Sequence, residues 1–268
     1  MTDQLPDEQA WKHGDRFVED YMAQNYDFVY NSTRFAKAMY KDFSDEIRRI
    51  VSKKSKIDTS KILELGCGTG IISLLLSNYD KVNNIQRYCM DFSFNMMKIA
   101  KKRCSYCVLS DMESIPFRGD SFDIIYVHSA IHHFPHFKDI LIEAKRILKP
   151  NGLLIIQEPP QSNIKKDFIL RSLAFFFRKM GTRQYEDVSH LELNPSDHHA
   201  PISFDLLISE MKYTDFIIEN KKFKYYASRI LSGFDSYIAY KIGRVLDRYY
   251  VKKYNDGYIL LIIGRKKK

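Results

Sequence analysis

Between Lys61 and Glu158 short apolar runs alternate with helical patterns, and no other feature of the chain restricts its fold as strongly. Strands are predicted at 61–65, 85–90, 106–110 and 122–128, followed by the apolar run Leu153-Leu154-Ile155-Ile156. Helices are predicted between them, over about 71–77, 94–103 and 137–148. The last of these carries Phe137, Ile140, Leu141, Ala144, Ile147 and Leu148 at helical spacing. It stops at Lys149-Pro150-Asn151-Gly152, where Pro150 and Gly152 read as a turn. Strands this apolar, separated by helices, indicate a mostly parallel sheet covered on both faces.

The first junction in the series is the most specific. Ile62-Leu63-Glu64-Leu65-Gly66-Cys67-Gly68-Thr69-Gly70 joins an apolar strand, a carboxylate and three alternating glycines just ahead of a helical pattern. Such glycines let the main chain take positive φ angles and approach a ligand closely, while the helix behind them offers unpaired N–H groups. Glu64 at the strand end would repel a pyrophosphate and suits a ligand that carries an ammonium group. A zwitterionic, amino-acid-like cofactor therefore fits better than a dinucleotide.

Glu64-Leu65-Gly66-Cys67-Gly68-Thr69-Gly70 resembles the first motif of the class I S-adenosylmethionine-dependent methyltransferases. Asp111-Met112-Glu113-Ser114-Ile115-Pro116-Phe117 and Leu148-Lys149-Pro150-Asn151-Gly152 are similar to later segments of the small-molecule branch of that family, in the same order. The resemblance runs from about Lys61 to Glu158 and extends more weakly to the C-terminus. It implies an α/β fold, doubly wound around a mostly parallel seven-stranded sheet of the Rossmann-like methyltransferase type, with helical lid insertions. It also implies S-adenosyl-L-methionine as cofactor and an O or N atom of a small-molecule acceptor as the methyl recipient. The chain then divides into an N-terminal helical cap (1–56), a cofactor-binding core (57–160), a lid or substrate insertion (161–202) and a C-terminal completion of the core (203–268).

Ligands of open parallel sheets bind beyond the carboxyl ends of the strands, which singles out the residues just after each strand. The resemblance implies that Glu64 and the loop Gly66, Cys67, Gly68 and Gly70 hold the methionine part. Asp91, about 20 residues past the loop, would take the ribose hydroxyls. Phe92 would pack on the adenine, Asp111 and Met112 would meet its edge, and His128 would lie near the sulfonium. Turn formation or helix capping is the competing role for Asp91 and Asp111. If the acceptor is a hydroxyl, a histidine is the natural proton acceptor, and His132 and His133 after the fourth strand are the candidates. They could instead shape the cofactor pocket. Asp123, within that strand, reads as structural.

Outside the core, Phe35, Met39, Phe43 and Ile47, then Ile50 and Val51, keep a helical rhythm. In resembling enzymes the N-terminal region covers the active site, which makes Trp11, Tyr21 and Tyr26 candidate substrate contacts. The insertion pairs an apolar helix around Leu170 to Phe177 with a polar cluster that includes Asp187, His190 and His198. Its spacing matches no zinc signature, so no metal is assigned and His198 is a candidate substrate contact. Ser203 is a helix N-cap, strands near 216–219 and 258–264 form the antiparallel end of the sheet, and an extra amphipathic helix occupies about 235–250. Lys241, Arg244, Arg248, Lys252 and Lys253 near its polar side allow contact with a membrane surface.

Four cysteines confined to the core and an acidic, polar start to the chain point to reduced thiols and a cytoplasmic protein. A net charge of +9 favours anionic partners without identifying them. No DNA partner is expected, and RNA is disfavoured because no recognised RNA-binding module is present and Glu158-Pro159-Pro160-Gln161 lacks the aromatic residue of an amine-methylating site. The competing readings are a lipid or polyprenyl methyltransferase, an RNA methyltransferase and a non-catalytic, cofactor-binding regulatory protein. Oligomeric state is not legible.

Overall fold

The computed structural model describes residues 34–54, 60–83, 85–134, 137–159, 203–225, 237–254 and 258–267, together with Ala23, Tyr26, Asp27, Ser172, Phe175, Phe176, Ala227 and Leu231. In chain order the elements are α1 (Arg34–Lys54), β1 (Ser60–Leu65), α2 (Ile71–Asn83), β2 (Ile85–Asp91), α3 (Phe94–Ala100), β3 (Tyr106–Leu109) and β4 (Phe122–His128). A short 3-10 turn (Ile131–His133) leads to α4 (Lys138–Ile147), β5 (Leu148–Glu158), α5 (Phe204–Tyr213), β6 (Phe216–Lys224), α6 (Tyr237–Tyr254) and β7 (Ile259–Lys266). The strands form one seven-stranded sheet in the order β3-β2-β1-β4-β5-β7-β6. β1 to β5 are parallel, and β7 runs antiparallel to both β5 and β6, as expected.

Successive side chains of a strand point to opposite faces, so the continuous apolar runs supply two cores. Leu63, Leu65, Ile125, Val127, Leu154 and Ile156 pack with Ile140, Leu141 and Ala144 of α4 and with Leu207 and Met211 of α5. Their neighbours Ile62, Ile124, Tyr126 and Ile155 pack on the other face with Phe43, Ile47 and Val51 of α1 and with Ile72 and Leu76 of α2. Burial of each such side chain contributes roughly 1.5–3 kcal/mol. The predicted rhythm in the first helix is therefore the docking face of α1. Ser203 caps α5 by accepting from the Leu206 N–H.

This order places the functional edge. The chain leaves β1 for β2 and β3, then returns to β4 on the opposite side of β1. This reversal of strand order beside β1 places the ligand crevice at the carboxyl ends of β1 and β4.

Several boundaries differ from the sequence reading. α2 runs on to Asn83 and β6 to Lys224, because β6 stays paired with β7 past a register shift between Ile218 and Asn220. Lys149-Pro150-Asn151-Gly152 is not a turn between elements. It lies within β5 as an irregularity, with Leu148 opposite Phe122 and Leu153 opposite Ile124, and Asn151 takes φ 61° to accommodate the extra length. Asp123 is structural, accepting from the Lys61 N–H at 2.9 Å and from Lys149 Nζ at 2.8 Å.

The expectation of four reduced thiols does not hold. Cys89 in β2 and Cys104 after α3 form a disulfide with Cα atoms 6.4 Å apart, while Cys67 and Cys107 are thiols. α3 folds back along β2, and that packing brings together two residues separated by 15 in sequence. Among the described residues no helix is long and apolar enough to cross a membrane.

Candidate active site

The glycine loop sits where the crevice opens. Gly66, Gly68 and Gly70 all have positive φ. At Gly66 the requirement is double, since a Cβ there would come within 2.5 Å of the Ala130 Cβ on the loop after β4. The loops after β1 and β4 thus touch through a residue that has no side chain. Two recesses adjoin at this contact and share Tyr26 and Gly66. One is lined by Glu64, Cys67, Tyr40 and His128, the other by Gly68, Asp91, Phe92, Met112, His133 and Phe134.

Both carboxylates are deeply buried. Glu64 Oε2 accepts from Ser73 Oγ at 2.7 Å and from the Tyr126 hydroxyl at 3.0 Å. Burial nevertheless lifts its pKa to about 7. Asp91 accepts from the Gly68 N–H at 2.7 Å and the Ser93 N–H at 2.9 Å, and burial raises its pKa despite those bonds. Asp91 therefore ties β2 to the glycine loop. His128 lies under the rings of Tyr40 and Phe43, 4.5 and 5.1 Å away, and burial drops its pKa to about 4. Its Nε2 is buried without a hydrogen-bond partner among the described residues. Among the described residues no lysine or arginine lines either recess.

Tyr26 closes the cleft from above. Its ring lies over the loop, 3.7 Å from where a Gly68 Cβ would stand, and its hydroxyl is 3.5 Å from that of Tyr40. The adjacent Asp27 accepts from Thr69 Oγ1 at 2.7 Å and forms an ion pair with Arg103, whose Nη1 also donates to the Thr69 carbonyl at 3.0 Å. This three-way clamp holds the segment carrying Tyr26 onto the glycine loop.

The paired histidines occupy different surroundings. His133 lines the recess of Asp91 and Met112, whereas His132 lines neither recess and its Nδ1 is 2.8 Å from Glu158 Oε2 at the end of β5. The other Glu158 oxygen accepts from the Ala130 and Ile131 N–H groups, both at 2.8 Å. These contacts hold the buried carboxyl below its usual range, against the opposing effect of burial. An ionised carboxylate can only accept, so Nδ1 is the donor in this contact.

Of the other sequence candidates, Phe92 and Met112 line the cleft. Asp111 accepts from the Glu113 N–H at 2.9 Å, which is the turn-forming role, and lines neither recess. Trp11, Tyr21 and His198 lie outside the described residues, as does most of the insertion. Phe175 and Phe176 of the apolar helix are helical and exposed. Sequence reasoning missed Tyr40, Asp27, Arg103 and the role of Glu158. Only Glu158 left a signal, as an acidic residue ending a strand, the same position that drew attention to Glu64 and Asp91.

Residues 63–156 match the family model of a methyltransferase domain. A demethylmenaquinone methyltransferase of Thermotoga maritima is 30% identical over 133 residues, covering 49% of this chain and 57% of that protein. The chain thus spans little more than half of that relative. A second demethylmenaquinone methyltransferase, from Bacillus velezensis, is 26% identical over 188 residues, covering 65% and 78% respectively. Among solved structures, an S-adenosylmethionine-dependent methyltransferase of Thermotoga maritima shares the fold, with a TM-score of 0.57 at 20% identity over 94% of this chain and 99% of that one.

Proposed function

We propose that the chain, whose residues 63–156 match the model of a methyltransferase domain, is a class I S-adenosylmethionine-dependent methyltransferase that methylates a hydroxyl of a small-molecule acceptor, with His132 as the proton acceptor. One observation carries this reading: the 2.8 Å contact between His132 and a Glu158 carboxylate that two main-chain N–H groups already hold in place.

The cleft fits the cofactor. Among the described residues it offers two buried carboxylates, a main chain stripped of side chains and no cation, a donor set that suits ammonium and sulfonium charge and opposes phosphate. In this reading Glu64 and the loop from Gly66 to Gly70 receive the amino-acid end, Asp91 the ribose, and Phe92 and Met112 the base. When bound, S-adenosylmethionine supplies an electrophilic methyl group on a positively charged sulfur. The remaining work falls to the protein, which must align the acceptor and keep water out. Tyr26 and its Asp27–Arg103–Thr69 clamp provide the cover. Glu158 orients the His132 ring through Nδ1, so that Nε2 takes the hydroxyl proton as the oxygen attacks, and its negative charge then stabilises the imidazolium.

A quinone-derived ring is the second reading. The names of the relatives from Thermotoga maritima and Bacillus velezensis favour it, and Tyr26 and Tyr40 at the cleft would suit a flat ring. Incubation with S-adenosylmethionine and a panel of phenols, amines and reduced demethylmenaquinone, followed by mass spectrometry of the products, tests both. O-methyl products that vanish in His132→Asn support the first reading. Products methylated only on nitrogen or on a ring carbon rule it out.

A further inference from the structure

A second groove lies apart from the cofactor cleft. It measures about 1010 Å³ and lies between the second half of β6 and α6, with Asp42 of α1 at its wall. Lys222, Lys224, Lys241, Arg244, Arg248 and Lys252 line it against two carboxylates, Asp42 and Asp247. The first of these carboxylates is already engaged, accepting from the Tyr225 hydroxyl at 2.6 Å and from Arg244 at 3.0 Å. Lys222 pairs with Glu46 at 3.2 Å. Lys224, Arg248 and Lys252 form no ion pair among the described residues.

Two further facts argue that this surplus is built rather than incidental. Lys224 is half-buried, and both burial and the neighbouring Lys222 charge pull its pKa down, a cost that a bound anion would offset. Tyr225, the next residue, is buried with φ 62°, a conformation that a bulky side chain adopts only when its surroundings hold it there. The hydrogen bond to Asp42 and the Arg244 guanidinium 5.1 Å over its ring supply that restraint. The strained residue turns the chain so that the end of β6 forms one wall of the groove.

We infer that the groove between β6 and α6 binds the phosphate group of an organic anion. A phosphate carries close to two negative charges and three strong acceptor oxygens, which matches several unpaired cations better than a carboxylate does. The volume exceeds that of a lone phosphate, and Phe223, Val245 and Val251 add an apolar lining for the rest of the molecule. The groove opens at the same sheet edge as the cofactor cleft, since Lys224 pairs with Ile259 and Glu158 with Leu260, neighbours in β7. Two sources present this chemistry: a soluble phosphorylated compound, or a phospholipid headgroup approached through the exposed Ile238, Val245 and Tyr249 of α6.

Calorimetry of the full chain with pyrophosphate, and flotation with phosphatidylglycerol against phosphatidylcholine vesicles, test the inference and separate the sources. The comparison is Lys224→Gln combined with Arg248→Gln, whose side chains form no ion pair to lose. Binding should weaken at least about tenfold in that variant, from the loss of charge-assisted hydrogen bonds. Affinity for S-adenosylhomocysteine should stay unchanged, which keeps this result independent of the proposed acceptor chemistry and shows that the variant is folded. Pyrophosphate binding without flotation assigns a soluble ligand, and flotation only on phosphatidylglycerol assigns the headgroup. If neither probe binds, or if the variant binds both as the wild type does, the groove is not a phosphate site.

Discussion

His132 Nδ1 and Glu158 Oε2 lie 2.8 Å apart across two segments, the 3-10 turn after β4 and the end of β5. The pairing of β4 with β5 sets that distance, because His128 stands opposite Gln157 and the strands end together. With its other oxygen on the Ala130 and Ile131 N–H groups, Glu158 fixes both the backbone of the turn and the ring that the turn carries.

His132→Asn should lower kcat by about 10²–10⁴-fold, the range for loss of a positioned proton acceptor, with little change in S-adenosylhomocysteine affinity. Glu158→Gln should lower kcat less and displace the pH–rate profile, since the amide still accepts from the turn but no longer stabilises an imidazolium. Steady-state kinetics over pH checks both, and an unchanged kcat in His132→Asn would remove this histidine from the chemistry.

Stability against pH should reveal two buried groups of opposite sign. Glu64 is raised from 4.5 to about 7, so the stability it contributes by holding a proton is complete below 4.5 and is lost as pH rises through 7. His128 is lowered from 6.5 to about 4, so its contribution is complete above 6.5 and is lost as pH falls through 4. Relative to wild type, Glu64→Gln should tilt the curve upward with pH and His128→Gln should tilt it downward, each by up to about 3 kcal/mol across the window. Urea unfolding at several pH values reads the slopes directly; parallel curves for all three proteins would contradict the assignment.

Gly66→Ala should be far more damaging than Gly68→Ala. Both positions have positive φ, but only at Gly66 does the new Cβ meet the Ala130 Cβ at 2.5 Å, whereas at Gly68 it meets the Tyr26 ring at an ordinary 3.7 Å. We expect a loss of roughly 1–3 kcal/mol for the strained backbone at either site, plus an overpacking cost of similar size at Gly66. Thermal unfolding with and without S-adenosylhomocysteine distinguishes them, and equal midpoints would refute the close contact between the two loops.

Arg103→Gln should weaken S-adenosylhomocysteine binding by about 5–30-fold through loss of the clamp on Asp27 and Thr69, corresponding to roughly 1–2 kcal/mol. The fold should persist, because Arg103 lies outside both main cores. Calorimetry is the direct measurement, and wild-type affinity in this variant would mean that Tyr26 needs no clamp to cover the loop.

The elements between Lys61 and Glu158 were legible because apolar periodicity is a local property: alternate residues of β1 and β4 must each find a buried face, and the helices must cover them. Glu64, Asp91 and Met112 could be marked in advance for the same reason, since each sits at or just past the end of a legible strand. Lys149-Pro150-Asn151-Gly152 misled because Pro and Gly mark irregularity without saying whether a strand ends or merely bulges. The Cys89–Cys104 bond and the Asp27–Arg103 pair across 76 residues left no local trace.

By itself, then, the amino-acid order determined the strand and helix rhythm, the glycine loop with its carboxylates, and the kind of cofactor such a loop can hold. Which histidine faces Asp91 and which is held by Glu158 was decided only by the tertiary structure. Adjacent residues on a short turn diverge in direction, and their partners come from β2 and β5, strands that meet the turn solely through the order of the sheet. The same holds for the cationic groove, whose charges are scattered along the chain and become one site when α6 lies beside β6.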